Sequence, residues 1–160
     1  MQEISWIIVG VFSAAFIVLL TYLIQVYVKI RIHKTRIKNI LSQIRGQVNI
    51  KHDLLREYVE INKDSIEQEK YDDVINKLSL YKSNNEIGVV ELKDFNEYCN
   101  IHLKSFDDTL LVKQCEESEV KINHIKSYYN EVACFFNNYK SNKLNGIVSK
   151  AMDIEDATLY

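Results

Sequence analysis

Proline is absent from this 160-residue chain, and glycine occurs only four times, at Gly10, Gly46, Gly88 and Gly146. These are the two residues that most readily interrupt a helix, so their scarcity makes long helices the default. No alternating apolar-polar runs lie between turn clusters, which leaves an all-α chain as the expected class. The shortage of glycine also removes whole chemistries. A phosphate-cradling loop and a dinucleotide fingerprint both need glycines where backbone meets phosphate, and neither pattern is present. The helical zinc-protease motif and the nucleophile elbow are missing as well.

Cysteine is sparse too. Cys99, Cys115 and Cys134 are odd in number and lack C-x-x-C spacing, so neither a disulfide framework nor a zinc site is suggested. They are expected to be small, buried or half-buried thiols in a reducing compartment. With no metal cluster and no cofactor motif, the expectation is a protein that binds neither and is not an enzyme.

The average composition, 47% hydrophobic and 26% charged with a formal net charge of −2, conceals two segments of opposite character. From Ile4 to Val28 no residue carries a charge at neutral pH: ISWIIVGVFSAAFIVLLTYLIQVYV. At about 1.5 Å of rise per residue this run exceeds a hydrocarbon core of about 30 Å, so it predicts a transmembrane helix with some tilt. A cleaved signal peptide would put positive charge ahead of the run and small residues after it. Here Met1, Gln2 and Glu3 precede it, and Tyr22 and Tyr27 stand where cleavage would need small side chains. An interfacial helix would need a polar face, which the run lacks.

Behind the run come Lys29, Arg31, His33, Lys34, Arg36 and Lys38. Lys29, Arg31, Lys34, Arg36 and Lys38 form a positive-inside cluster, so the expected topology is N-terminus outside and C-terminal domain in the cytoplasm. The same cluster can meet anionic headgroups. Trp6 and the two tyrosines suit the two interfaces.

Past the anchor, Ile37, Ile40, Leu41, Ile44, Val48, Leu55, Tyr58, Val59 and Asn62 keep a three-four spacing, one face of a long amphipathic helix. Lys38, Asn39, Gln43, Arg45, Asn49 and Lys51 read as its solvent face. No Gly-, Ser- or Pro-rich linker separates this helix from the span. A second helix is expected to start near Asp64 or Ser65, with Gln68 closing a capping box and Ile66, Val74, Leu78 and Tyr81 inward. The stretch KSNNEIG, residues 82–88, is the clearest turn. Beyond it the apolar pattern runs from Val89 to Tyr139, as one kinked helix or as two broken near Phe106 to Thr109 with Asp107 and Asp108 as caps. The run KSNKLNG ends that helix near Gly146, leaving an acidic, loosely held tail with at most a final turn at 147–152.

The expected architecture is therefore residues 1–3 as a short extracytoplasmic N-terminus, 4–28 as a single transmembrane helix, 29–149 as an elongated antiparallel three- to four-helix bundle, and 150–160 as the tail.

Two stretches resemble the LemA family of bacterial membrane proteins. SQIRGQV at 42–48, which contains Gln43 and Gln47, is followed by His52, Asp53, Leu54 and Val59. Later, Ser118-Glu119, Ile122 and Lys126 lead into Tyr129-Asn130 and Phe136-Asn137, two aromatic-Asn pairs seven residues apart. The resemblance spans roughly residues 38–149. Where the family carries Ile-Pro-Asn-Leu, this chain carries Leu55, Arg56, Glu57 and Tyr58. What the resemblance implies is a single-pass, membrane-anchored helical bundle; it supplies no active site.

Among individual residues, His52 and Asp53 diverge by about 100° on a helix, which favours a structural contact over shared catalysis. Asn130 and Asn137 lie one heptad apart and are expected to be buried and hydrogen-bonded across the bundle. Glu116, Glu117 and Glu119 fan out around the axis as a solvated face. A pI near 6.1 argues against nucleic acid as the reason for ten tyrosines. The expected partners are membrane lipids and a protein partner or a second copy. The function expected is an interaction or scaffold protein; the alternative is a tethered sensor that takes a small ligand near Asn130.

Overall fold

A computed structural model describes residues 2–83, 88–104 and 109–160. The described residues are all-α and contain no strand: α1 (Gln2–Ile61), α2 (Gln68–Ser83), α3 (Val89–Lys104), α4 (Thr109–Ser141) and α5 (Lys143–Ala151), with a single 3₁₀ turn at Lys63–Ser65. α1 runs 60 residues without interruption, as a segment with neither proline nor linker should. Its N-terminal part is long and apolar enough to cross a membrane, and almost none of that stretch is buried.

The chain forms two compact units, Met1–Ile37 with Val132–Ala157, and Lys38–Glu131 with Thr158–Tyr160. In the first unit, Val26 and Ile30 of α1 pack on Phe136 of α4, with Ile37, Tyr139, Val148, Ile154 and Ala157 around them. His33 meets Phe135 and Tyr139 at ring separations of 5.1 and 6.1 Å.

The second unit is a four-helix bundle whose neighbours run antiparallel. α1 and α2 meet through Asn49 with Tyr81 and His52 with Leu78. α2 and α3 meet through Lys77 with Tyr98 and a tight Tyr81–Phe95 stack at 3.8 Å. α3 and α4 meet through Asn96 with Glu119 and Asn100 with Cys115. The apolar ladder of α1 is the seam, with Ile44, Val48 and Leu55 fully buried, each stabilising by about 1.5–3 kcal/mol relative to an exposed side chain.

Several boundaries differ from the sequence reading. The capping box at Ser65 and Gln68 does not form. Ser65 and Ile66 both donate their backbone N–H to the Asn62 carbonyl, so Ser65 completes a 3₁₀ turn, whereas an N-cap needs extended backbone. Ile66 is extended instead, and α2 opens at Gln68. The region from Val89 to Tyr139 is two helices; Asp107 and Asp108 lie outside the described residues, as do 84–87 of the turn.

Gly146 does not end a helix but sits inside α5. The tail is pinned, not loose: Tyr160 is only 7% exposed.

Candidate functional site

The apolar ladder of α1 has a gap between Val48 and Leu55, and the core positions inside it, 51 and 52, are filled by Lys51 and His52. Lys51 was expected on the solvent face; it is completely buried. A buried ammonium must find acceptors for its three protons, because an unpaired charge in the interior costs far more than any packing gain. Lys51 Nζ donates to Asn96 Oδ1 at 2.9 Å, to Asn100 Oδ1 at 2.6 Å, and to the Glu119 carboxylate. Asn100 donates in turn to Glu119 at 2.9 Å, and Asn96 at 3.4 Å.

Glu119 is therefore half-buried and turned toward Lys51, not part of a solvated face as the spacing suggests; Glu116 and Glu117 are exposed as expected. Burial pushes the Glu119 carboxyl up, but hydrogen bonds from Lys51, Asn100 and Asn96 and the Lys51 charge outweigh it and hold the carboxyl below its ordinary range. Cys115 and Cys99 are buried nearby, and burial pushes the Cys99 thiol up to about 12 despite Lys51. Cys134, in contrast, is exposed. The network uses all three Lys51 donors internally, on Asn96, Asn100 and Glu119.

His52 contacts Asp53 at 2.8 Å and the Leu78 carbonyl at 3.3 Å, a structural role. Gln47 meets Ser118 at 3.5 Å. Ile122, Tyr129 and Phe136 are core residues, Leu54 is half-buried, and Gln43 is exposed and apart from the rest. Lys29, Arg31, Lys34, Arg36 and Lys38 all face outward along α1.

Asn130 and Asn137 do not bond across the helices. Each instead grips the tail. In the bundle unit, Asn130 donates to the Tyr160 carbonyl at 3.3 Å and accepts from the Tyr160 N–H at 2.8 Å. Tyr129 donates its hydroxyl to the Thr158 carbonyl at 2.8 Å, and Lys126 lies 5.5 Å from the centre of the buried Tyr160 ring. In the other unit, Asn137 repeats the device on Ala157, donating at 2.9 Å and accepting at 2.8 Å. Lys140 donates to the Ile154 carbonyl and pairs with Asp156 at 2.8 Å.

A side-chain carboxamide carries one acceptor and two donors in the layout of a peptide group. It can therefore pair with both main-chain groups of a single extended residue, as a neighbouring strand would. The aromatic-Asn repeat is the only mark of this in the sequence, and the polar tail gave no hint of its docking.

One further concavity of about 720 Å³ lies between Val59, Ile66, Val74 and the polar residues Glu67, Asp73 and His102. Burial holds His102 below the ordinary histidine range, against the opposing charge of Asp73. Among the described residues no group of three or more His, Cys, Asp or Glu is placed to hold a metal ion.

No family model, no curated protein and no solved structure matches this chain.

Proposed function

We propose that the chain is a membrane-anchored helical interaction protein, of the kind the LemA resemblance implies, which holds an extended peptide segment and carries out no catalysis. The observation behind this reading is the paired hydrogen bonding of Asn130 to both backbone groups of Tyr160. Such pairing recognises main chain, so it tolerates any sequence whose side chains fit the flanking surface. The chain's own tail is the occupant; an extended segment of a protein partner or of a second copy presents the same groups. The apolar stretch of α1 is the anchor, and the outward-facing basic cluster favours a cytoplasmic bundle with the N-terminus outside.

Photocrosslinking tests the reading in native membranes. A benzophenone amino acid in place of exposed Ser127, on the turn preceding Asn130, is expected to yield adducts heavier than the chain, reduced by Asn130→Leu. Recovery of monomer and lipid adducts alone would overturn it.

A second reading, a tethered sensor for a small ligand, is favoured by the 720 Å³ concavity, which Asn130 does not line. Its lining carries Glu67, Glu69 and Asp73 against one lysine, Lys70, which is paired with Glu67, and the remaining acids suit an organic cation. A thermal shift with small amines that Asp73→Asn abolishes would support it, and the absence of any shift would remove it.

A further inference from the structure

α5 is built inside out. Its buried residues are polar, Asn145 at 5% and Ser149 at 3% exposed, while its large aliphatics Leu144 and Ile147 are 56% and 65% exposed. At about 100° per residue, Leu144, Ile147, Val148 and Ala151 fall at i, i+3, i+4 and i+7 and make one apolar stripe. Val148, at the inner edge of that stripe, touches the core of its unit; the remainder faces outward. Lys143 and Lys150, both exposed, stand together along one flank of the stripe.

The rest of the unit says what covers this face. Asn145 Oδ1 accepts a hydrogen bond from the Tyr22 hydroxyl at 3.0 Å, and Tyr22 belongs to the apolar run of α1. That run, Ile4 to Val28, is about 37 Å long at about 1.5 Å per residue, some 7 Å more than a hydrocarbon core needs. The excess is about five residues. Within the last seven, Val26 is buried against the helices of its own unit and Tyr22 bonds to α5. The hydrocarbon therefore ends close to Tyr22, and α5 lies at that level.

We infer that α5 is an interfacial helix that seats Leu144 and Ile147 in the lipid bilayer beside the span, with Lys143 and Lys150 reaching the headgroups. The occupant is lipid: the stripe is short, flanked by lysines whose stems can run along it to the phosphates, and adjoins a segment already at the bilayer edge. The acidic residues that follow, Asp153, Glu155 and Asp156, lie beyond the stripe, and Asp156 is paired with Lys140. This inference rests on the reading of α1 as a membrane anchor and holds for either orientation of the chain.

Depth-dependent quenching tests it on the full-length chain in vesicles of phosphatidylcholine and phosphatidylglycerol. In a Cys134→Ala background, Ile147→Cys and, separately, Phe16→Cys carry an environment-sensitive fluorophore, read against spin labels placed shallow and deep on the acyl chains. The expected result is strong quenching of position 147 by the shallow label only, and of position 16 by the deep one. Quenching at 16 with none at 147 overturns the inference and leaves the anchor intact; no quenching at either position overturns the anchor itself. Excimer emission from pyrene at 147 without lipid quenching would assign the face to a second copy, and also overturns the inference. Replacing Leu144 with Ser is expected to weaken the quenching of 147 without changing that of 16.

Discussion

A lysine at position 51 continues the i, i+3, i+4 ladder of α1 into the core, and the interior accepts it because Glu119, Asn96 and Asn100 take all three of its protons. The pair is asymmetric: the Lys51 side chain is wholly buried, while that of Glu119 is 26% exposed. Removing the carboxylate with Glu119→Ala strands a buried charge and is expected to cost about 3–5 kcal/mol. Lys51→Met leaves a carboxylate that can turn to water, so it should cost clearly less in the same denaturant titration; equal costs would show that burial of the ammonium is not the deciding factor. The pair also has a pH signature. A carboxyl held below its ordinary range contributes stability that is fully present above about pH 4.5 and lost as pH falls through the lower folded value. The stability gap between the native chain and Glu119→Gln is expected to stay constant from pH 8 to 5 and to narrow below pH 4.5. At Tyr160 the ring is buried but the hydroxyl has no partner among the described residues. Tyr160→Phe should therefore match or exceed native stability by up to about 1 kcal/mol, whereas Tyr160→Ala should lose about 3 kcal/mol of packing. Hydrogen exchange at residues 158–160 would report the accompanying release of the tail.

The C-terminus of α5 shows how an element can end without its usual residue. Asp153 donates to the Lys150 carbonyl and Ile154 to the Ser149 carbonyl, both at 3.1 Å, with Asp153 at φ 49°. This is the helix-ending motif normally completed by glycine, and Ile154 just past it packs on the core of its unit. An L-residue is strained there by roughly 1–2 kcal/mol, less for Asp than for most. Asp153→Gly is expected to stabilise the fold by about 0.5–1 kcal/mol and Asp153→Val to destabilise it, measured by thermal unfolding in detergent; a destabilised Gly variant would mean the Asp carboxylate matters more than the backbone. That ending is hidden in the sequence because the evident stop signal, Gly146, lies inside α5. The capping box failed similarly: Ser65 and Gln68 have the right spacing, but local spacing does not reveal that the preceding turn already holds the Ser65 backbone in helical form. The ladder of α1 was legible, since Ile40, Ile44, Val48, Leu55 and Val59 repeat one apolar spacing. Lys51 was legible only as a gap in it, because a long charged side chain is placed outside by default. Tail docking shows in the sequence only as the aromatic-Asn repeat, since Asn130 and Asn137 bind backbone, and backbone leaves no mark in the residue identities of the tail.

At the scale of the whole molecule, the distribution of charge along α1 argues for orientation. Glu3 precedes the apolar run, and five exposed cations, Lys29 to Lys38, follow it. The cost of moving such a cluster across a bilayer is what supports the proposed topology, with the bundle on the cytoplasmic side. The three cysteines offer a direct test on the unaltered chain. Cys134 is exposed, while Cys99 and Cys115 are buried, and the elevated thiol of Cys99 supplies little of the reactive thiolate. An impermeant maleimide is therefore expected to leave intact cells unlabelled, to modify one thiol per chain after lysis, and to reach the other two only in denaturant, as read by intact mass. One thiol modified in intact cells would place the bundle outside, and the outward basic cluster would then need a partner other than the cytoplasmic leaflet.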